Sequence, residues 1–233
     1  MLNQAQKRLL LELMIDRDVL MFGEFRLKSG RQSPYFFNLG ALNSGAAMRQ
    51  LGECYADHLD GSGLEFDVVF GPAYKGIPIA VAAALALARN GKDVGIAFNR
   101  KEGKQHGEGG RFVGAAVAGR VLLVDDVLTA GTAVREAAGL VRGEGGEIVG
   151  VVIALDRQEL NESGRTAVAD LEEELGVPVS SLLCLQDVIE YLDLWARGNK
   201  NLRATVAKIR SYQQAHCAEP DIDAARANSL TGV

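Results

Sequence analysis

RVLLVDDVLTAGTA, residues 120–133, decides the fold: an apolar run, two adjacent carboxylates, then a small hydroxyl-bearing turn that leads into a helix. Residues 121–124 are valine or leucine throughout, the pattern of a strand buried on both faces of a parallel sheet. Asp125 and Asp126 then stand at its carboxyl end, the edge at which open α/β sheets bind ligands. Thr129, Ala130, Gly131 and Thr132 are small enough for backbone N–H groups to wrap an anion. Residues 132–142 read as a helix, which places its positive end at that turn. The spacing is not that of a P-loop, which needs a longer glycine loop closed by lysine and a hydroxyl residue. The two acids can accept from vicinal hydroxyls or approach a divalent cation, so the implied ligand is a sugar phosphate. The alternative is a strand end that simply caps a helix.

Outward from this stretch, apolar strands and helices alternate from Phe66 onward. Strands are expected near residues 66–70, 94–99, 148–155 and 179–185, and helices near 75–89, 163–175, 186–195 and 202–216. Such alternation predicts a doubly wound, mostly parallel sheet with helices on both faces. Ahead of it, residues 4–15 form a predicted helix with Leu9, Leu10, Leu13 and Met14 on one buried stripe. Residues 22–27 and 34–39 flank the turn-rich KSGRQS as a hairpin, expected to cap one end of the sheet. No repeat or low-complexity linker divides the chain, so one domain is expected over residues 1–233: a cap at roughly 1–40, a core at roughly 41–216 and a polar tail at 217–233.

The composition narrows the partners. At 233 residues, 48% hydrophobic and 24% charged, the chain is globular rather than disordered or fibrous. Its formal charge of −5 argues against a general nucleic-acid or membrane-surface role, so any site for a polyanion must be local. Cys54, Cys184 and Cys217 are widely spaced and lack a CxxC pair; they read as reduced thiols, which points to the cytoplasm. Glu12 interrupts the N-terminal apolar patch and no small-residue cleavage site follows. The longest apolar run, residues 77–88, is too short to span a bilayer.

Three further stretches carry chemistry. GPAYKG, residues 71–76, lies between a strand and a helix, where Lys75 offers a point charge to phosphate and Tyr74 an aromatic wall; the plainer alternative is a turn with a solvated lysine. NRKEGKQHGEGGRF, residues 99–112, concentrates Arg100, Lys101, Lys104, His106 and Arg111 among four glycines. Ordering such a segment costs entropy that closure over an anion would offset, as in a mobile lid; an exposed basic hairpin is the alternative. In FRLKSGRQSPYFFN, residues 25–38, Phe36 and Phe37 face opposite sides of a strand. One of them can enter the core while the other lines a flat pocket within reach of Lys28, although such a pair is also ordinary core.

Residues 120–133 resemble the phosphoribosyl-diphosphate motif of type I phosphoribosyltransferases, in which two acids address the ribose and a T-A-G-T loop grips the 5′-phosphate. FRLKSGRQSPYFFN, FGPAYKG, FNRKEGKQHGEGG, VLLVDDVLTAGTA and LDRQE, in this order, resemble the orotate phosphoribosyltransferases of bacteria and fungi, over about residues 22–159. That resemblance implies a type I phosphoribosyltransferase-like α/β fold with an N-terminal hood. It implies contacts to orotate from Lys28, Phe36, Phe37, Thr129 and Arg157. Tyr74 and Lys75 would address the diphosphate, and Arg100, Lys101, Lys104 and His106 would reach it from the lid. Asp125, Asp126, Val127, Leu128, Thr129, Ala130, Gly131, Thr132 and Ala133 would hold the ribose and 5′-phosphate.

The implied reaction is transfer of the phosphoribosyl group from 5-phosphoribosyl 1-diphosphate to orotate, giving orotidine 5′-phosphate and diphosphate in pyrimidine biosynthesis. Asp125, Asp126, Lys75, Lys101, Lys104 and His106 would be the catalytic residues. Magnesium (Mg2+) would be carried on the diphosphate with no direct protein ligand, and the protein would be a homodimer that exchanges lids, with neither nucleic acid nor membrane as partner. A purine phosphoribosyltransferase would share residues 125–133 without needing Lys28 and Arg157 to converge on a carboxylated ring. A regulator retaining the fold as a ligand sensor would not need a basic glycine lid.

Overall fold

The structure, a computed structural model, describes residues 1–27, 29–104 and 110–219. Helix α1 (Gln4–Asp16) starts at a capping box between Asn3 and Gln6, two side chains that satisfy each other's backbone N–H groups. Strands β1 (Leu20–Arg26) and β2 (Gln32–Phe37) pair antiparallel, Leu20 opposite Phe37 and Arg26 opposite Gln32, giving the expected hairpin. Helix α2 (Gly45–Asp60) leads to strand β3 (Val68–Phe70), helix α3 (Gly76–Arg89) and strands β4 (Gly95–Lys104), β5 (Gly110–Gly114) and β6 (Arg120–Val127). Helix α4 (Thr132–Gly143), strand β7 (Glu147–Asp156), helix α5 (Ala167–Leu175), strand β8 (Val179–Cys184), and helices α6 (Leu185–Trp195) and α7 (Lys200–His216) complete the order.

The main sheet runs β5-β4-β3-β6-β7-β8, parallel throughout except for β5. Strand order reverses between β3 and β6: the crossover through α3 leads from β3 to β4 on one side, and that through α4 leads from β6 to β7 on the other. A reversal of this kind opens a crevice at the carboxyl ends of the two central strands. Val69, Leu122 and Val124 join the core beneath α1, α2, α3, α6 and α7, while Val68, Phe70, Val121 and Leu123 join the core beneath α4 and α5. This alternation is the period of two that carries a strand buried on both faces.

Several local expectations are corrected. Helix α2 was not anticipated, because Gly45 and Gly52 dilute its pattern. At Gly52 an added Cβ would lie 2.3 Å from the Ala82 carbonyl oxygen, so glycine is what lets α2 and α3 approach. Leu9 is exposed and Leu11 takes its place beside Leu10, Leu13 and Met14 on the buried stripe. Helix α5 begins at Ala167 rather than 163, where the Thr166 side chain accepts from the Ala169 N–H. Strand β4 runs on through Lys104 and β5 returns along it, so both ends of the glycine-rich segment are strands.

Candidate active site

The two crevice strands deliver the two predicted anion loops side by side. Asp125 and Asp126 lie within β6 near its end, both almost fully buried. The Asp126 N–H donates to Asp125 Oδ1 at 2.9 Å, and the fully buried Tyr55 of α2 donates its hydroxyl to the Asp125 carbonyl oxygen at 2.8 Å. Burial first, then the neighbouring Asp126 charge, pushes the Asp125 carboxyl up to about 7. Beyond Val127 and Leu128 the chain turns at Gly131, whose φ of 69° is a left-handed conformation suited to glycine, and enters α4 at Thr132. Arg135 of α4 donates to the Ala130 carbonyl oxygen and pairs with Glu174 of α5, fastening the turn from outside.

The loop after β3 faces this turn. Lys75 Nζ lies 2.7 Å from Asp126 Oδ2, and its side chain is half exposed whereas Asp126 is not. The Ala73–Tyr74 peptide is cis, and the Ala73 N–H donates to Asn99 Oδ1 at 2.9 Å. Lys101 Nζ lies 4.9 Å from the centre of the Tyr74 ring, a cation–π contact that draws β4 toward the loop. Between them is a cavity of about 430 Å³ lined by residues 72–75, Lys101 and residues 125–134. A second cavity shares Pro72, Ala73, Lys101, Thr132 and Ala133 with it and adds Arg100 and Arg111 to its wall. Lys75 and Lys101 thus line the first cavity, and Arg100, Lys101, Arg111 and the acidic Glu136 line the second, beside the positive end of α4.

Arg157 follows β7, the strand beside β6, with Val127 opposite Leu155 in the register. Its guanidinium carbon lies 4.7 Å from the centre of the buried Tyr35 ring of the hairpin, and Nε and Nη2 donate to Glu159 Oε1 at 2.9 and 2.5 Å. Phe37 is buried, while Phe36, only partly buried, stacks on Phe25 with ring centres 5.5 Å apart. The hairpin is therefore joined to the β7 edge, again through Arg31 Nη2 donating to the Leu160 carbonyl oxygen at 2.6 Å.

The structure thus brings together Tyr74, Lys75, Lys101 and residues 125–133, and sets Arg157 against the hairpin of Phe36 and Phe37. Lys28 and His106 lie outside the described residues, as does the Lys104 side chain, although its backbone closes β4. Sequence reasoning missed Tyr55, Asn99, Arg135, Glu159 and Tyr212. Each acts on a partner distant in sequence or through the backbone and leaves no local signature, except Glu159, which sits inside the LDRQE stretch. Among the described residues no group of three or more His, Cys, Asp or Glu could hold a metal ion. The neighbouring Asp125 and Asp126 instead suit a hard cation that draws most of its oxygens from a ligand.

The chain matches the family described as phosphoribosyl transferase domain over residues 40–175. It is 50% identical over 214 residues to an orotate phosphoribosyltransferase of Methylococcus capsulatus, covering 91% of this chain and 98% of that protein. To one of Xanthomonas euvesicatoria it is 54% identical over 206 residues, covering 87% and 92%. The crystal structure of an orotate phosphoribosyltransferase from Francisella tularensis superposes with a TM-score of 0.77 at 37% identity, covering 90% of this chain and 100% of that one.

Proposed function

The chain belongs to the orotate phosphoribosyltransferases of the phosphoribosyl transferase family, and from that premise we propose how its residues divide the work. The reaction is transfer of the phosphoribosyl group from 5-phosphoribosyl 1-diphosphate to orotate, yielding orotidine 5′-phosphate and diphosphate for pyrimidine biosynthesis. The observation that carries the assignment of the site is the Asp125–Asp126 pair at the end of β6, opening onto the Gly131 turn with Lys75 2.7 Å from Asp126.

In this reading the backbone of residues 129–133 and the N-terminus of α4 hold the 5′-phosphate. Asp125 and Asp126 accept from the ribose hydroxyls, and their charge favours the positive character that grows on the sugar as its bond to diphosphate breaks. Tyr74, Lys75, Arg100, Lys101, Lys104 and His106 face the leaving diphosphate, stabilising charge that develops there. Lys28, Phe36, Phe37, Thr129 and Arg157 receive orotate, with the guanidinium of Arg157 opposite its carboxylate. Magnesium carried on the diphosphate would neutralise part of that charge.

The protein is a cytoplasmic homodimer in this account, one domain with a hood, in which Arg100 and Lys101 at the base of each lid serve their own chain's cavities and the segment from Lys104 onward closes on the partner's site. An apolar groove of about 540 Å³ between α2 and α3 supports the dimer: Met48, Pro78, Val81 and Leu85 line it, Leu85 is 66% exposed, and Arg49 and Arg89 pair with Glu53 at its rim. Apolar centres with polar rims are characteristic of protein interfaces. Among the described residues no helix is long and apolar enough to cross a membrane, and all three cysteines are free. Incubating purified protein with 5-phosphoribosyl 1-diphosphate, magnesium and one base at a time tests the base assignment. Orotate is consumed with release of diphosphate, whereas conversion of adenine or hypoxanthine in its place would overturn the roles given to Lys28 and Arg157.

A further inference from the structure

The loop that carries Arg157 is gripped by the end of α7. The Leu160 N–H donates to the His216 carbonyl oxygen and the Ala218 N–H to that of Gln158, both at 2.8 Å, making an antiparallel bridge between Glu159 and Cys217. Side chains extend the grip: Gln213 Nε2 donates to Gln186 Oε1 at 3.2 Å, and the Gln186 N–H to Gln158 Oε1 at 3.3 Å. At its centre Tyr212 donates its hydroxyl to Glu159 Oε1 at 2.7 Å, the same oxygen that accepts from Arg157 Nε and Nη2. One carboxylate oxygen therefore takes three donors. The guanidinium has one edge bound by that oxygen and one face laid on Tyr35, and among the described residues nothing accepts from its Nη1.

We propose that Glu159, itself held by Tyr212, is a positioning residue for base recognition: it fixes the Arg157 guanidinium so that Nη1 remains for the carboxylate of the base. The proposal rests on the reading of Arg157 as the partner of that carboxylate. An arginine side chain loses considerable rotamer freedom when it binds, and a side chain already fixed loses that freedom during folding rather than at each binding event. The alternative role for Glu159 is a counter-ion that competes with orotate. Two features favour positioning: Glu159 occupies the Nε edge, leaving Nη1 without an acceptor among the described residues, and its own place is set by α7.

The test compares KM for each substrate, kcat and melting temperature in Tyr212→Phe, Glu159→Gln, Arg157→Ala and the Arg157→Ala/Glu159→Gln double variant. Tyr212→Phe and Glu159→Gln should raise KM for orotate about three- to tenfold, the scale of a charge-assisted hydrogen bond weakened rather than removed. KM for 5-phosphoribosyl 1-diphosphate should not move. Because Glu159 acts through Arg157, adding Glu159→Gln to Arg157→Ala should change nothing further. The proposal is overturned if Arg157→Ala raises KM for orotate while neither conservative variant does, if Glu159→Gln tightens orotate, or if both substrates weaken equally. An unchanged KM for orotate in Arg157→Ala overturns the underlying assignment of Arg157 as well.

Discussion

Replacing Asp125 by Asn should make the folded protein more stable at alkaline pH while it loses activity, because the charge that serves the substrate is a burden to the empty fold. Burial and Asp126 raise the Asp125 carboxyl from 3.8 to about 7. The folded state therefore holds this proton more tightly than the unfolded chain does. Its contribution to stability is fully present below the unfolded value of 3.8 and is lost as pH rises through the folded value of about 7.

The rise from 3.8 to about 7 corresponds to at most roughly 4 kcal/mol above pH 7. Asn can still accept the Asp126 N–H through its amide oxygen, as Asp125 Oδ1 does at 2.9 Å. Its buried amide N–H groups would return about 1–3 kcal/mol of that gain where they lack acceptors. A net stabilisation of about 1–3 kcal/mol translates into a melting temperature about 3–8 °C higher at pH 8 for a chain of this size. At pH 5 the folded carboxyl is protonated but the unfolded one is already ionised, so roughly 2 kcal/mol of the penalty remains. The unpaired amide N–H groups offset it, and the net gain should largely vanish. Thermal unfolding of both proteins without ligand, at the two pH values, provides the assay. A melting-temperature difference that stays the same from pH 5 to pH 8 would refute the reasoning.

Two other predictions concern the dimer. Lys104→Ala and Asp126→Asn proteins, each nearly inactive, should recover about a quarter of wild-type sites when mixed under subunit exchange, since a lid acting in trans gives each mixed dimer one undamaged site. A mixture that stays inactive, with exchange verified by a tagged subunit, would confine each lid to its own chain. Leu85→Glu places a charge in the groove between α2 and α3 and should halve the mass measured by light scattering at micromolar concentration; an unchanged dimer would place the interface elsewhere.

Much of the fold was legible because its signals are local. The uninterrupted valine and leucine run of β6 could only be a strand covered on both faces, and the helix that follows a small turn set the cradle. Alternation from Phe66 onward then gave the parallel sheet. The signal failed where tertiary contact decides the residue: Gly52 weakens the pattern of α2 because α3 passes too close for a side chain. It failed also at β5, whose glycine-rich sequence reads as loop until β4 lies beside it. In the site, Lys75, Asp125 and Asp126 stood out by charge and position, and the structure adds the ion pair that joins two of them. Tyr55 and Tyr212 were not legible, since a tyrosine hydroxyl that reaches a carbonyl or carboxylate 70 or 53 residues away leaves nothing beside it in the sequence.

Turnover of the Asp126→Asn protein, measured beside its melting temperature, tests the central claim that phosphoribosyl transfer occurs at the end of β6. The Asp126 carboxylate is buried, pairs with Lys75 at 2.7 Å and lines one cavity with residues 129–133. Orotidine 5′-phosphate formation at saturating substrates should fall by about a hundredfold or more, the scale at which a preorganised charge acts on a transition state. The melting temperature should remain within about 5 °C of wild type, as only one ion pair to a half-exposed lysine is lost. Near-normal turnover in a folded Asp126→Asn protein would contradict the account.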